Sequence, residues 1–131
     1  MRILAIDFGE KHIGCAIADS NGHVATKLPT LEVVSMHDAV SRVGIVVKSE
    51  HIDLVVLGLP LSFQFEQTPM CEIVRTFANA LAAATGVRIA FVNEILSSDL
   101  SKQFMHAQKD HSVSAQILLQ DYLDKTDERI T

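Results

Sequence analysis

The sequence predicts an α/β fold with a mixed five-stranded sheet, its first three strands antiparallel and the later ones parallel, and helices on both faces. Three observations predict it. Short strand-like segments follow one another closely from Ile3 to Val34, as in an antiparallel meander. Helical and strand-like periodicity then alternate to the end of the chain. The unbroken apolar runs at Ile3–Ile6 and Leu54–Leu57 suit strands buried on both faces, which parallel sheets contain.

The elements follow in order. Ile3-Leu4-Ala5-Ile6 runs straight into Asp7, and Gly9 allows a tight turn before a second strand, Ile13 to Ala18. Gly14 leaves room for another element to approach closely. Asn21-Gly22 reads as a hairpin turn. Val24 to Val34 reads as a third strand on a sheet edge, because Pro29 cannot donate to a ladder. Ser35 with Asp38 forms a helix-start signal, and Met36, Ala39, Val40, Val43 and Val47 recur at helical spacing. Leu54–Leu57 is a central strand ending in Gly58-Leu59-Pro60. Thr68-Pro69 starts a second helix, as cap and first helical residue, with Met70, Val74, Phe77 and Leu81 as its buried stripe and Gly86 as its end. Val87 to Val92 is the fifth strand. A short helix is expected near Ser98 to His106. A last helix is expected from about His111 to Asp124, with Ala115, Leu118, Leu119 and Tyr122 on one face. Residues 1–124 thus read as one domain, and 125–131 as a polar, frayed tail.

The 131 residues suffice for one real core. A net charge of −5 argues against a generic nucleic-acid binder that relies on a bulk positive field. It leaves open an enzyme in which bound cations carry the local positive charge. The two cysteines, Cys15 and Cys71, match neither a disulfide framework nor a zinc spacing, which suits a reduced cytoplasmic setting. The longest apolar run, Leu54 to Leu61, is too short to span a bilayer, so no membrane partner is expected.

In such sheets ligands bind beyond the carboxyl ends of the parallel strands. Asp7 ends the first strand, Gly58 lies at the end of the fourth, and Glu94 follows the fifth. Asp7 and Glu94 are hard oxygen donors suited to Mg²⁺ or Mn²⁺, and a pair of such ions is expected to flank a phosphodiester. His111 or Asp110, at the start of the last helix, is the third candidate. His111 is preferred, because the small pair Ser114-Ala115 and the apolar face put it on the inner side, which leaves Asp110 to cap the helix. Lys11, His12, Ser62 and Arg75 are candidates for substrate contact, with Gly58 beside them.

Taken together, the motifs resemble the YqgF/RuvX-type nucleases of the RNase H-like superfamily over nearly the whole chain. They are Asp7-Phe8-Gly9 through Lys11, Ile13-Gly14, Gly58-Leu59-Pro60-Leu61, Val74-Arg75, Phe77-Ala78, Glu94, Ile117-Leu118-Leu119-Gln120 and Tyr122-Leu123. The resemblance implies an RNase H-like fold and a metal-dependent nuclease. It associates the chain with 5′-end maturation of pre-16S rRNA, or alternatively with cutting Holliday junctions. Four departures are visible: Asn93-Glu94-Ile95 replaces the family's Asp-Glu-Arg, His12 replaces an arginine, His111 stands where the last acidic residue is usual, and the basic stretch before the last helix is thin, with Lys102 and Lys109. A catalytically weakened RNA-binding or ribosome-assembly module is the non-enzymatic alternative. An actin-like phosphate loop is disfavoured, because two domains around a nucleotide need more than 131 residues. The expected partner is structured RNA or a DNA junction. The chain is expected to act as a monomer or a homodimer, and a junction cutter calls for two-fold symmetry.

An acidic chain of this kind should hold nucleic acid through few phosphates. The slope of log affinity against log salt should stay shallow, about −0.7 to −0.9 per phosphate contact. A titration giving a slope near −10 would reveal a basic surface that the sequence does not suggest.

Overall fold

A computed structural model describes residues 1–19, 21, 24–59, 69–93 and 111–130, with 93 and 126–130 as backbone only. Its elements are β1 (Arg2–Asp7), β2 (His12–Asp19), β3 (Thr26–Lys27), β4 (Leu31–Glu32), α1 (Met36–Ser49), β5 (Leu54–Leu59), α2 (Pro69–Thr85), β6 (Arg88–Asn93) and α3 (His111–Ile130). The sheet order is β3-β2-β1-β5-β6, and β4 also pairs with β2. β1 and β2 are antiparallel, whereas β1–β5 and β5–β6 are parallel. The mixed α/β architecture read from the sequence is therefore the observed one.

The predicted third strand is two short ones. Thr26 and Lys27 pair with Ile17 and Ala16, and Leu31 and Glu32 pair with Ile13 and His12. The Leu28 and Val33 amides donate to the Cys15 and Lys11 carbonyls at 2.9 Å, so the segment still follows the edge of β2. Pro29, with a fixed φ and no N–H, interrupts the ladder between them. α1 starts as its sequence predicts: Ser35 Oγ accepts from the Asp38 amide at 3.0 Å, and Asp38 Oδ2 accepts from the Val34 amide at 3.0 Å. The Val34 amide first, and then the neighbouring Arg42, hold the Asp38 carboxyl below its ordinary range. Pro69 is the first residue of α2, and Gly86 ends it at φ 74°, a left-handed conformation that favours glycine. α3 continues to Ile130, beyond the predicted end at Asp124, so the expected frayed tail is helical. No Gly or Pro stops the helix, and Asp121 pairs with Lys125 one turn on at 3.0 Å. Gly22 of the predicted hairpin turn, Thr68, and the helix predicted near Ser98 lie outside the described residues.

Strand alternation splits the core into two layers. Leu4, Ile6, Val55 and Leu57 face α1 and α2, where Val43, Val74, Phe77 and Leu81 meet them. Ile3, Ala5, Ala16 and Val56 face α3, through Ala115, Leu118, Leu119 and Leu123. Small residues on that second face let α3 lie close to the sheet. The approach is tightest at Gly14, where a Cβ would overlap the backbone of His111 and Ser112. Farther along, Gln116 Nε2 donates to the Ala25 carbonyl at 3.0 Å, and the Ala25 amide donates to Gln120 Oε1 at 3.1 Å. These bonds fix α3 along its axis.

A pair of glycine substitutions separates packing from propensity. Gly14→Ala should destabilise by more than about 3 kcal/mol, the upper end for overpacking, because backbone on both sides must move. Gly44→Ala in α1 places its methyl 3.5 Å from Thr85 Cγ2, an ordinary contact, and should stabilise by about 0.5–1 kcal/mol. Denaturant unfolding of both variants checks this, and equal midpoints would refute the tight docking of α3.

Candidate functional site

Asp7 is the last residue of β1, one position beyond the core residue Ile6. By alternation its side chain shares the face of Ile3 and Ala5, the side covered by α3. α3 begins at His111, directly above β2 at Gly14. The result is a contact between residues 104 apart in sequence: His111 Nδ1 lies 3.3 Å from Asp7 Oδ2. Both side chains are partly open, at 35% and 23% exposure, so a ligand can reach them.

Two serines set this geometry. Ser112 is buried, and its Oγ accepts from the Cys15 amide at 3.3 Å and pairs with Thr30 Oγ1 at 2.8 Å. This anchors the first turn of α3 to β2 and to the edge segment. Ser114, also buried, hydrogen-bonds the Asp7 carboxylate. It follows His111 by three residues, so both project from one helix face toward the same aspartate. His12 starts β2, and its ring stacks on that of His111, with centroids 5.7 Å apart and an interplanar angle of 10°. Gly9 keeps the connecting turn narrow, since a Cβ there would come within 2.5 Å of the His12 carbonyl oxygen.

Burial pushes the Asp7 carboxyl above its ordinary range, opposed in part by the charge and hydrogen bond of His111 and by the Ser114 hydroxyl. A carboxylate in such a place is costly unless something positive meets it. A carboxylate oxygen and an imidazole nitrogen that converge at a partly open strand end form a donor pair that fits a Mg²⁺- or Mn²⁺-type cation. Among the described residues no third His, Cys, Asp or Glu joins them. Glu94, Asp110 and Ser62 lie outside the described residues. Glu94 directly follows Asn93, the last residue of β6, and the registers Ile6↔Leu57 and Leu57↔Phe91 bring that strand end out on the same side of the sheet as Asp7.

The other candidates are more dispersed. Lys11 is exposed in the turn between β1 and β2. Gly58 is buried within β5, paired with Val92. Arg75 is half-buried on α2, which packs on the opposite face of the sheet from Asp7 and His111. Cys15 and Cys71 are free and buried, and burial pushes the Cys15 thiol up to about 12, so it stays protonated. Sequence reasoning missed Ser112 and Ser114 as site residues. The signal available was their spacing from His111 along the helix.

The comparisons with known proteins give the family and the fold. The family model "RuvX: Holliday junction resolvase" matches residues 1–125. A protein of Chloroflexus aurantiacus named "Putative pre-16S rRNA nuclease" is 35% identical over 132 residues, covering 93% of this chain and 86% of its own. A protein of the same name from Dictyoglomus thermophilum is 32% identical, covering 96% and 97%. Among solved structures, Thermus thermophilus RuvC superposes with a TM-score of 0.65 at 15% identity over 98% of this chain and 97% of that one. The fowlpox virus resolvase in complex with Holliday junction DNA gives 0.56 at 13% identity over 96% and 99%. At these identities the likeness to the solved structures is one of fold.

The buried carboxylate has a measurable cost. Because the folded-state pKa of Asp7 is raised, the folded protein binds its proton more tightly than the unfolded chain. Ionising Asp7 therefore costs stability as pH rises through and above the ordinary carboxylate range. Asp7→Asn removes that cost, so its unfolding midpoint should exceed the wild-type midpoint at pH 7 without divalent ions. The difference should vanish below about pH 4, where both side chains are neutral. A variant less stable than wild type at pH 7 would show that the His111 and Ser114 bonds outweigh desolvation.

Proposed function

The chain belongs to the RuvX Holliday junction resolvase family, and from that premise we propose that it is a metal-dependent nuclease acting in 5′-end maturation of pre-16S rRNA. The observation that carries the reading is the meeting of Asp7 and His111 at the carboxyl end of β1. The names of the relatives at 35% and 32% identity support the RNA substrate. In this reading Asp7, His111 and Glu94 hold the divalent cations, Mg²⁺ or Mn²⁺ and two in number. When bound, such cations supply Lewis-acid charge to the attacking and leaving oxygens of the phosphodiester.

The chain's own residues do the positioning. Ser114 donates to the Asp7 carboxylate and holds its orientation. Ser112 fixes the start of α3, so His111 presents Nδ1 toward Asp7. The buried setting of Asp7 makes its charge favourable chiefly when a cation is present, which couples site assembly to metal binding. Lys11, exposed beside the site, meets a backbone phosphate. His12, stacked on His111, restricts that ring to one plane.

A DNA junction is the second substrate reading, favoured by the family's description. No helix among the described residues is long and apolar enough to cross a membrane. We place the protein in the cytoplasm with its RNA substrate.

Incubation with 5′-extended 16S precursor RNA or a four-way DNA junction, with Mg²⁺ or Mn²⁺, tests the proposal. Cleavage of the RNA should stop on chelation. Asp7→Asn and Glu94→Gln should each lower the rate on the order of 10²-fold or more, as expected for loss of one electrostatic stabiliser. His111→Ala should lose most activity and His111→Asp should retain it. Asp110→Asn should cut normally, since asparagine caps a helix as well as aspartate. Full activity in Asp7→Asn would move the reaction elsewhere. RNA binding without cleavage by the wild-type protein would make the chain a binding module.

A further inference from the structure

Two adjoining cavities open beside the β1–β2 turn. One, of about 460 Å³, is lined by Lys11, His12, Glu32 and Val33 together with Glu10 and Val34. The other, of about 370 Å³, is lined by Phe8, Met36 and Ile73 with Ser35 and again Glu10 and Val34. Sharing Glu10 and Val34, they join into one groove. Its near end meets the candidate site, because the His12 ring that lines it stacks on His111 and His111 contacts Asp7.

The chemistry of the groove is not that of a phosphate cradle. Its lining carries one lysine against two glutamates. The start of α1 borders it, yet the Ser35 hydroxyl already accepts from the Asp38 amide, and the Asp38 carboxylate brings a negative charge. An anion is therefore disfavoured at the α1 end of the groove, and Lys11 leaves room for a single phosphate at the other. What the groove offers is apolar surface and a carboxylate acceptor. Val34 is 91% exposed, and Phe8, packed on Phe77 with ring centroids 4.7 Å apart, is only half-buried. A flat, neutral group with hydrogen-bond donors on its edge fits this set, and a nucleobase is such a group. Each cavity falls within or near the size of small-ligand sites, roughly 300–1,000 Å³.

Building on the nuclease reading, we infer that this groove binds two consecutive unpaired nucleotides of the substrate strand beside the cleavage site. Their bases lie against Phe8 and Val34, Glu10 accepts from exocyclic amino groups, and Lys11 meets the intervening phosphate. The substrate is thus single-stranded where it leaves the site. Stacking on apolar and aromatic side chains binds unpaired strands without a strongly basic surface, which matches a chain of net charge −5. Glu10 makes the groove selective, because cytosine presents an N4 amino donor where uracil presents a carbonyl acceptor.

The test is equilibrium binding of fluorescent cytidine and uridine hexanucleotides to the full chain with a chelator present, so that binding is read apart from cleavage. The cytidine hexamer should bind roughly tenfold more tightly than the uridine hexamer, and more tightly than a duplex of the same length. Glu10→Gln should erase the preference, since an amide can donate as well as accept. Val34→Ser should weaken both oligonucleotides without altering the salt slope, whereas Lys11→Ala should make the slope shallower by about 0.7. Ile45→Ser, 64% exposed on α1 and outside the groove, is the matched control and should bind as wild type does. Equal binding of the two hexamers, duplex bound as tightly as single strand, or a Val34→Ser variant indistinguishable from Ile45→Ser would each overturn the inference. Precursor cleavage with base-indifferent binding sinks the groove alone. The expected binding pattern without any cleavage sinks the nuclease reading and leaves the groove as a single-strand site.

Discussion

The close approach of α3 to β2 at Gly14 is the constraint on which the site depends. Only a residue without a side chain lets the backbone of His111 and Ser112 come so near the strand. Once there, Ser112 bonds the Cys15 amide and Thr30, which pins the first turn of α3 both to the sheet and to the edge segment. The apolar face of Ala115, Leu118, Leu119 and Leu123 holds the rest of the helix on the sheet. His111 inherits its position from these contacts.

That position gives Asp7 its unusual environment. The aspartate ends a strand whose preceding four residues are fully or almost fully buried, and α3 covers its face of the sheet. Desolvation works against its charge, and His111 with Ser114 offsets only part of the cost. A fold maximised for stability would place a neutral residue there. Retaining the carboxylate makes sense where binding a cation returns what burial takes away.

The same turn serves two faces of the sheet. Asp7 projects toward α3, and Phe8, next in sequence, projects toward α1 and α2 and contacts Phe77. The short connection through Gly9 and Glu10 to Lys11 and His12 thus joins a polar site on one face to an apolar groove on the other. A chain with net charge −5 gains little from long-range attraction to phosphates.

The sequence by itself determined the order and type of the elements, because local periodicity, caps and breakers act within a few residues. Ser35 with Asp38, Pro69 and Gly86 bound their helices as their chemistry requires. The inward register of His111 was also legible, since helical spacing from Ala115 and Leu118 fixes it. Pro29 marked an interruption, but the division into two short strands depended on which β2 residues lay opposite. The helical course of α3 beyond Asp124 was missed, because a polar sequence without Gly or Pro carries no stop signal and no apolar stripe. Only the tertiary structure decided that His111 meets Asp7 across 104 residues, that Ser112 anchors Cys15 across 97, that Ser114 serves the same aspartate, and that His12 stacks over the pair. Such contacts arise from the packing of distant segments, and no local pattern encodes the distance between two side chains on different elements.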